Sequence, residues 1–546
     1  MLDFKRKTSN LQRTAFMSIL IMLAVILYSM IMFMMNISMS VYSIVIPIAG
    51  IAVYCALFDR KLLYSLLLCL ALLGIWVLIC MRFTDYSYDG MYYHKEAVIT
   101  LAKGWNPLYQ SCTEAEPLNS HADLALWLDH YPKGIWIFSA AIYLFTNYIE
   151  TAKAVNILFL IMLYCSANDA LRSIFKFSNR KCSLLSLLIC VNPLFINQLF
   201  TSYNDLAVGT LIMTTVFLGM KIYSETATNT DYALLFSVTA MSCLVKFTAP
   251  LLVGVTLIAY GTAYLIKHRG KQIIKLFKKP ALVILIGFLT GVVIFGFDPY
   301  IKHIINGQNI VYPVLGENSY DIMNTNPPAG FDGLSNPEKL AVSLFSRLDN
   351  VAGGEYKLKI PFTVYASEFE HLGDAEIRLS GFGLLFSGIL TVSVLLAAAA
   401  ALIYKRKMRI ELAVSLILFT LLGIFFPESW WARYASYIYY IPLFLMIYVL
   451  ETEKLKIPTI MFALLIAANS VITSVFVIRS TSEMTAYFND MLDEIKAEDK
   501  KVEIRINDFP AHLVMFEEKG IEYQVANNSI ADEIVFYRDT KFRYMN

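Results

Sequence analysis

The stretch LLYSLLLCLALLGIWVLICM (62–81) is followed, after Arg82 and Phe83, by TDYSYDGMYYHKEAVITLAKGWNPLY (84–109). The first segment carries no charge and has the length of about 20 residues that a helix needs to cross a bilayer. The second segment is rich in aspartate, lysine and tyrosine, and it also contains a histidine and a glutamate. Together they predict a membrane-spanning helix that leads directly into a polar, titratable loop at the membrane face.

The composition points to the same class of protein for the whole chain. Of the 546 residues, 57% are hydrophobic and 16% are charged, and the mean hydropathy is +0.57. Soluble domains carry about 25% charged residues, so we expect an all-α polytopic membrane protein in contact with membrane lipids. The net charge of +2 comes without a basic domain, so no nucleic-acid partner is expected. Only Cys112 of the eight cysteines lies clearly in a polar outer loop, and neither a disulfide framework nor a zinc site is predicted.

Hydropathy and the distribution of basic residues predict about thirteen transmembrane helices and their orientation. The predicted spans are 14–35, 39–58, 62–81, 154–171, 183–199, 206–222, 232–246, 249–266, 281–297, 381–403, 411–426, 437–450 and 457–478. Basic connections share one side, which is therefore the cytoplasm: KRK (5–7), DRK (59–61), RSIFKFSNRK (172–181), KHRGKQIIKLFKK (267–279), YKRKMR (404–409) and ETEKLK (451–456). The N-terminus is then cytoplasmic and the C-terminus extracytoplasmic. Lys246 and Arg433 are the exceptions in the outer short loops.

This orientation divides the chain into a transmembrane domain, 1–478, and a C-terminal extracytoplasmic domain, 479–546. Within the first, two large outer loops cover 82–153 and 298–380. The apolar segment 134–149 is too short to span, so we expect a helix on the outer membrane face. The second loop should contain short helices. Alternating strand and helix patterns after residue 479 predict a small α/β domain.

The first outer loop holds the strongest candidates for chemistry. A helix is predicted from Gly90 to Lys103, which ends at Gly104 and is followed by Pro107. Asp89 stands at its start, where it is either an N-cap or a general base that accepts a proton from a hydroxyl. Asp85 lies four residues earlier and is the alternative base.

Other polar residues fall in the remaining outer connections, each with a structural interpretation beside a functional one. Lys133 and His130 suit the membrane interface, Asn204 and Asp205 suit helix capping, and Trp430 and Trp431 suit an aromatic belt or a sugar platform. Lys246 is a snorkelling lysine or a functional cation. Arg433 is the natural bidentate partner of a phosphate. In the loop 298–380, residues Asp298, Asn309 and Tyr312 are candidates for an acceptor groove.

Carboxylates and cations on one membrane face suit transfer of a group from a lipid phosphate. A carboxylate, Asp89 or Asp85, takes the proton of the acceptor hydroxyl, and Arg433 and Lys246 neutralise the charge that grows on the phosphate. The bilayer holds the lipid tail, so that the reacting atoms arrive oriented.

The order of these motifs resembles that of the GT-C superfamily of membrane glycosyltransferases, especially aminoarabinose transferases and protein O-mannosyltransferases. The likeness covers roughly 62–450 and rests on Asp89, Tyr93, Gly104, Trp105 and Pro107, on Tyr131-Pro132-Lys133-Gly134, and on Arg433-Tyr434. It implies a GT-C-like fold and an inverting transfer from a polyprenyl-phosphate sugar, with Asp89 as the base. The acceptor is then a cell-envelope glycan, lipid or protein at the bacterial inner membrane. Contacts with the substrates are expected from Tyr93, His94, Trp105, Lys133, Asn204, Trp431 and Tyr434.

The chain departs from the superfamily pattern in two places, and other functions stay open. Many relatives have Asp-Glu where this chain has Asp89-Gly90, and two spans precede the one that leads into the loop, so Asp85 remains a candidate base. No cofactor is expected, and no ligand cluster supports a divalent metal. A lipid-linked saccharide polymerase, a flippase or transporter and a non-catalytic scaffold are the alternatives. Transport requires charges inside the spans, whereas Asp169 and Lys221 lie at cytoplasmic ends.

Overall fold

A computed structural model describes residues 8–115, 122–269, 273–350, 352–526 and 533–545. The predicted basic cluster at 5–7 lies outside these residues, as does part of the cluster at 267–279. The described chain is mostly helical, with seven helical segments that are long and apolar enough to cross a membrane. These are Asn10–Met34, Arg60–Cys80, Ile149–Phe175, Asp205–Tyr223, Thr248–Lys267, Phe277–Phe295 and Lys456–Ala497. The chain thus has the helices of a multi-pass membrane protein.

Shorter helices coincide with most of the other predicted spans. They are Tyr42–Phe58, Phe386–Leu402, Ile410–Phe425 and Ser436–Leu450, and Asn229–Ser242 lies at the predicted span 232–246. A further short apolar helix, Gly134–Thr146, falls where no span is predicted. The segment 183–199 differs, because it forms two helices, Asn179–Cys190 and Pro193–Gln198. Proline at the first turn and the Asn192 side chain, which accepts from the backbone N–H of Leu194, start the second helix. The total of thirteen spans stays a prediction.

The two predicted outer loops contain short helices. In the first loop they are Gly90–His94, Lys95–Ala102, Cys112–Glu114 and Ala122–His130. In the second they are Phe297–Ile301, Lys302–Ile305, Ile322–Thr325, Asn336–Phe345 and Glu368–His371, in agreement with the expectation of short helices there.

The helix after Asp89 begins in an unusual way. Gly90–His94 is a π-helical turn that continues as the α-helix Lys95–Ala102. A side chain at Gly90 would collide with the carboxylate of Asp85 and the hydroxyl of Ser87, and glycine avoids this collision. Gly104, with φ +111°, ends the helix in a conformation that favours glycine.

The helix Gly134–Thr146 is an internal element of the protein. The sequence placed it on the membrane surface, but its residues from Gly134 to Ile142 are buried, and the N–H of Gly134 donates to Leu244 O at 3.0 Å. Beside it, Glu150 forms ion pairs with Lys95 and Lys153. This buried network joins the first outer loop to the start of the helix that ends at Phe175.

The C-terminal region forms a four-stranded sheet packed against the end of a long helix. The strands are Val502–Arg505 (β1), Tyr523–Val525 (β2), Ile534–Tyr537 (β3) and Thr540–Tyr544 (β4), in the order β2-β1-β4-β3. β1 runs parallel to β2, and β4 is antiparallel to both β1 and β3. The sequence missed β4, and the helix His512–Lys519 lies between β1 and β2 as predicted.

Two features connect this region to the rest of the protein. The predicted boundary after residue 478 falls within one continuous helix, Lys456–Ala497, so the last span and the first C-terminal helix are a single element. Met91, Tyr88 and Tyr92 of the first outer loop pack into the hydrophobic core of the C-terminal region. The C-terminal region therefore helps to hold the loop that contains Asp89.

Glu96 gives the first testable prediction. Its carboxyl is 1% exposed, and burial raises its pKa to about 8. A group whose pKa is higher in the folded than in the unfolded protein stabilises the fold at low pH, and this contribution is lost as the pH rises through the folded pKa. We therefore expect the melting temperature to fall between about pH 5 and pH 9, and to fall less in Glu96→Gln, which cannot ionise.

Thermal unfolding of purified protein across this pH range measures the effect. Glu494→Gln is the matched control, because Glu494 is exposed. Parallel pH profiles for wild type and Glu96→Gln would contradict the prediction.

Candidate active site

Four charged residues from separate segments form a continuous chain of ion pairs. Arg433 Nη2 lies 2.7 Å from Asp89 Oδ2, and Arg433 Nε lies 3.0 Å from Asp205 Oδ2. The other carboxylate oxygen of Asp205 lies 2.7 Å from Lys246 Nζ. These ion pairs join the first outer loop, two short outer turns and the loop before Ser436. Candidates more than 300 residues apart in sequence thus become neighbours.

Arg433 is the centre of this arrangement. It is 7% exposed, and its guanidinium carbon lies 4.3 Å from the centre of the Tyr203 ring. Burial alone would lower the pKa of Arg433, but the carboxylates of Asp205 and Asp89 raise it well above its usual range. Arg433 therefore carries a permanent positive charge held in a fixed place.

The chain of ion pairs opens into a cavity of 390 Å³, called here the charged cavity. Three cations contribute to its lining, namely Lys246, Arg378 and Arg433, together with the carboxyl groups of Asp89 and Glu376. The remaining wall is largely aromatic, and it includes Tyr93, Trp127, Tyr131, Trp431 and Tyr434. Cations beside aromatic faces suit a ligand with an anionic group and a ring.

Two hydrogen-bond donors in this lining have no partner among the residues that the structure describes. They are Nε1 of Trp431 and Nε of Arg378, and both atoms are buried. Arg378 and Arg433 lie on the ring of Trp431, with guanidinium carbons 5.0 and 5.1 Å from its centre. Because buried donors are normally paired, the cavity is complementary to a ligand rich in acceptor oxygens.

Glu376 lies beside Asp89 and was not identified from the sequence. The Tyr203 hydroxyl donates to the Glu376 carboxyl and accepts from the backbone N–H of Asp89 at 3.2 Å. Burial and the negative charge of Asp89 raise the pKa of Glu376. Glu376 therefore favours its protonated form more than an exposed glutamate does.

Six of the sequence-predicted residues meet in the charged cavity: Asp89, Tyr93, Lys246, Trp431, Arg433 and Tyr434. Asp89 makes no capping hydrogen bond to the helix that follows it. Its side chain is 22% exposed, so a substrate can reach it. The pairing with Arg433 favours the functional interpretation of Asp89 over the capping one.

Asp85 does not line this cavity. It is 1% exposed, and its carboxylate accepts hydrogen bonds from Ser87 N at 3.0 Å, Ser87 Oγ at 2.5 Å and Ser202 N at 2.8 Å. These contacts tie the loop before Asp89 to the turn before Asp205. The geometry thus favours a structural role for Asp85.

The other predicted site residues do not line the charged cavity. His94 accepts from Trp136 Nε1 at 2.8 Å, and burial lowers the pKa of the imidazole to about 3. Trp105 donates to Gln110 O at 3.2 Å, and Asn204 donates to Val245 O at 3.2 Å. Lys133 Nζ lies 2.8 Å from Asp298 Oδ2.

The residues expected to form an acceptor groove in the second outer loop lie elsewhere. Asp298 is paired with Lys133, and the Tyr312 ring lies 4.7 Å from that of His130. Neither they nor Asn309 line the charged cavity. In the described parts of the chain, no group of three or more His, Cys, Asp or Glu side chains is placed to hold a metal ion.

A larger cavity of 520 Å³ lies among the membrane helices, lined by residues such as Leu68, Leu160 and Leu187. No charged residue of the described chain contributes to it. Among the described residues it therefore offers no carboxylate for proton transfer and no cation for phosphate binding.

Comparison with known proteins gives little further guidance. No family model matches the chain, and no curated protein matches it. Among solved structures, it is similar to the oligosaccharyltransferase of Archaeoglobus fulgidus, crystallised with a disulfide-tethered acceptor peptide containing the NVT sequon. The identity is 12% and the TM-score 0.32, over 83% of this chain and 59% of that protein. The chain thus spans less than two thirds of the length of the protein it resembles.

Proposed function

We propose that this protein is a GT-C-type glycosyltransferase of the bacterial inner membrane. It moves a sugar from a polyprenyl-phosphate donor to a cell-envelope glycan, lipid or protein acceptor on the outer face. The observation that carries the proposal is the position of Arg433, which pairs with Asp89 inside a cavity that also presents Lys246 and Arg378. A general base and phosphate-binding cations are thereby within reach of one substrate.

The proposed reaction is a single displacement at the anomeric carbon of the donor sugar. The acceptor oxygen attacks that carbon, its proton passes to the Asp89 carboxylate, and the bond from the carbon to the phosphate oxygen breaks. The electron pair of that bond leaves with the polyprenyl phosphate, whose new charge Arg433 and Lys246 stabilise. Attack opposite to the leaving group inverts the anomeric configuration.

The ion pair between Asp89 and Arg433 suggests how donor binding activates the base. In the free protein the carboxylate of Asp89 is held by the guanidinium at 2.7 Å and is not available to an acceptor hydroxyl. A donor phosphate competes with Asp89 for the same guanidinium, because arginine binds phosphate with two parallel hydrogen bonds. Once the phosphate holds Arg433, the Asp89 carboxylate is free to accept the acceptor proton. The base therefore becomes available only when donor is present.

The aromatic lining has a matching role. Trp431, Tyr93 and Trp127 supply apolar ring faces on which a sugar ring packs, while the unpartnered N–H of Trp431 donates to a donor oxygen. The phosphate end and the sugar end of the donor thus each have a complementary part of the same cavity.

A donor panel in proteoliposomes tests this function against transport. Purified protein is supplied with radiolabelled polyprenyl-phosphate sugars and an envelope extract as acceptor. We expect label to leave the lipid and to appear in the acceptor fraction, with the anomeric configuration inverted by NMR. Protein-free liposomes are the control. Movement of intact donor across the bilayer without cleavage would instead identify a flippase, and donor that is neither cleaved nor moved would contradict the proposal.

A further inference from the structure

A second cavity of 180 Å³ lies next to the charged cavity. The first outer loop, the helix Pro193–Gln198, the end of the second outer loop and the turn between β3 and β4 contribute to it. Its lining includes Ser87, Asn197, Asp374, Tyr537 and Arg538. The C-terminal region thus meets the loop that contains Asp89 at this cavity.

Tyr88 and Glu376 line both cavities and form the wall between them. Tyr88 directly precedes Asp89, and Tyr203 links the Asp89 backbone to Glu376 through two hydrogen bonds. A molecule in the second cavity therefore lies beside the charged cavity, across this wall from a donor. It does not itself reach Asp89, which lines only the charged cavity.

The lining presents one buried polar atom that is not satisfied among the described residues. Asn197 is 4% exposed, and its Oδ1 atom has no hydrogen-bond partner in the described chain. Arg538, in the turn between β3 and β4, brings a cation to the same lining and lies over the rings of Tyr88 and Phe509, 5.2 and 5.4 Å from their centres.

The two cavities differ in charge and predict different ligands. The charged cavity combines three cations with the carboxyls of Asp89 and Glu376. The second cavity has one cation, Arg538, beside the carboxyl groups of Asp374 and Glu376. An excess of cations favours an anion in the first cavity only, and in the second the carboxyl, amide and hydroxyl groups suit a neutral molecule with many hydroxyls.

We propose that the second cavity binds one neutral sugar residue of the acceptor, other than the residue whose hydroxyl gives its proton to Asp89, and that Asn197, Asp374 and Arg538 hold it. Its assignment as the acceptor site rests on the proposed glycosyl transfer. Pockets for drug-sized ligands have volumes of about 300–1,000 Å³. The smaller volume of 180 Å³ fits a single ring rather than an oligosaccharide. Hydroxyls donate to Asn197 and Asp374, and Arg538 donates to a sugar oxygen.

Saturation-transfer NMR on the full chain in lipid nanodiscs tests this site without a donor and without turnover. The probes are methyl β-glucoside, methyl β-galactoside and methyl β-glucuronide, and nanodiscs avoid detergents with sugar headgroups. We expect a signal on at least one neutral glycoside and a weaker one on the glucuronide. Asp374→Asn and Arg538→Gln should each weaken binding about tenfold, as expected for a lost hydrogen bond to a charged group.

Matched controls are Asp490→Asn, at an exposed residue, and Arg543→Gln, at a half-buried residue that pairs with Glu503, both in the same region and outside the cavity. Both should bind as wild type does. No signal on any neutral glycoside, equal binding by Arg538→Gln and wild type, or tighter binding of the glucuronide would each overturn the proposal. Glycoside binding that depends on Arg538, in a protein that cleaves no donor, would keep the sugar site while removing both the transferase function and the acceptor role.

Discussion

Asp89→Asn is expected to abolish sugar transfer while the protein remains folded. Asparagine has nearly the volume of aspartate and still accepts a hydrogen bond from Arg433, but it cannot take a proton from the acceptor hydroxyl. Loss of a general base lowers the rate about 10²–10⁴-fold. Because the Asp89 side chain is 22% exposed and lies at a cavity edge, the substitution should lower the melting temperature little.

Asp85→Asn is the control that separates the two interpretations of the first loop. Asp85 is buried, and its two carboxylate oxygens accept three hydrogen bonds. In Asp85→Asn the amide NH₂ group replaces one of these oxygens and faces an N–H or O–H donor without an acceptor. We expect a lower melting temperature for Asp85→Asn, with turnover per folded molecule close to that of wild type. The measurement is label transfer from the donor identified by the panel, corrected for folded protein. Full turnover by Asp89→Asn, with loss in Asp85→Asn, would move the base to Asp85.

The sequence predicted the part of this site that depends on membrane topology. Basic residues are rare in the outer short loops, so Arg433 and Lys246 stood out against the charge bias, and both line the charged cavity. Asp89 stood out because it follows an unambiguous span. A charged residue can thus be identified from sequence when it breaks the charge bias of its loop or directly follows an apolar span.

Other members of the site gave no such signal. Asp205 stands where a capping residue is expected, and only the folded chain shows its carboxylate between Lys246 and Arg433. Glu376 and Arg378 lie in a long polar loop, where charged residues are ordinary. Their contacts with Tyr203 and Trp431 depend on how that loop folds over the membrane domain. Contacts of this kind, between residues far apart in the chain, leave no periodic pattern in the sequence.

The fold, like the site, has features that the sequence predicted and features that it did not. Hydrophobic periodicity and length identified the long helices, whereas the break at Asn192-Pro193 went unrecognised because the flanking residues are uniformly apolar. The helix Gly134–Thr146 was predicted from its composition, but its burial was not, because an apolar helix on a lipid surface and one inside a protein have the same sequence pattern.

Arg433→Lys is expected to weaken donor use strongly while preserving the charge of the site. Arg433 contacts Asp205 through Nε and Asp89 through Nη2, and it presents a planar group that matches two phosphate oxygens. Lysine supplies one compact charge and cannot make these contacts together. Hydrogen bonds to charged groups contribute about 1.5–3 kcal/mol, so the KM for donor should rise about 10-fold to 100-fold.

Initial rates over a range of donor concentrations measure this effect, and Arg409→Lys is the matched control. Arg409 also pairs with a carboxylate, Glu451 at 2.7 Å, but it lies in a predicted cytoplasmic loop, so its replacement should leave the KM for donor unchanged. Arg433→Gln separates charge from geometry, because it leaves Asp89 without its cation, and removing one partner of a buried ion pair costs about 3–5 kcal/mol of stability. That variant should therefore lose both folding stability and turnover. A normal donor KM in Arg433→Lys would show that Arg433 serves the fold alone, as the counter-ion of Asp89 and Asp205, and would leave Lys246 and Arg378 as the cations that bind the phosphate.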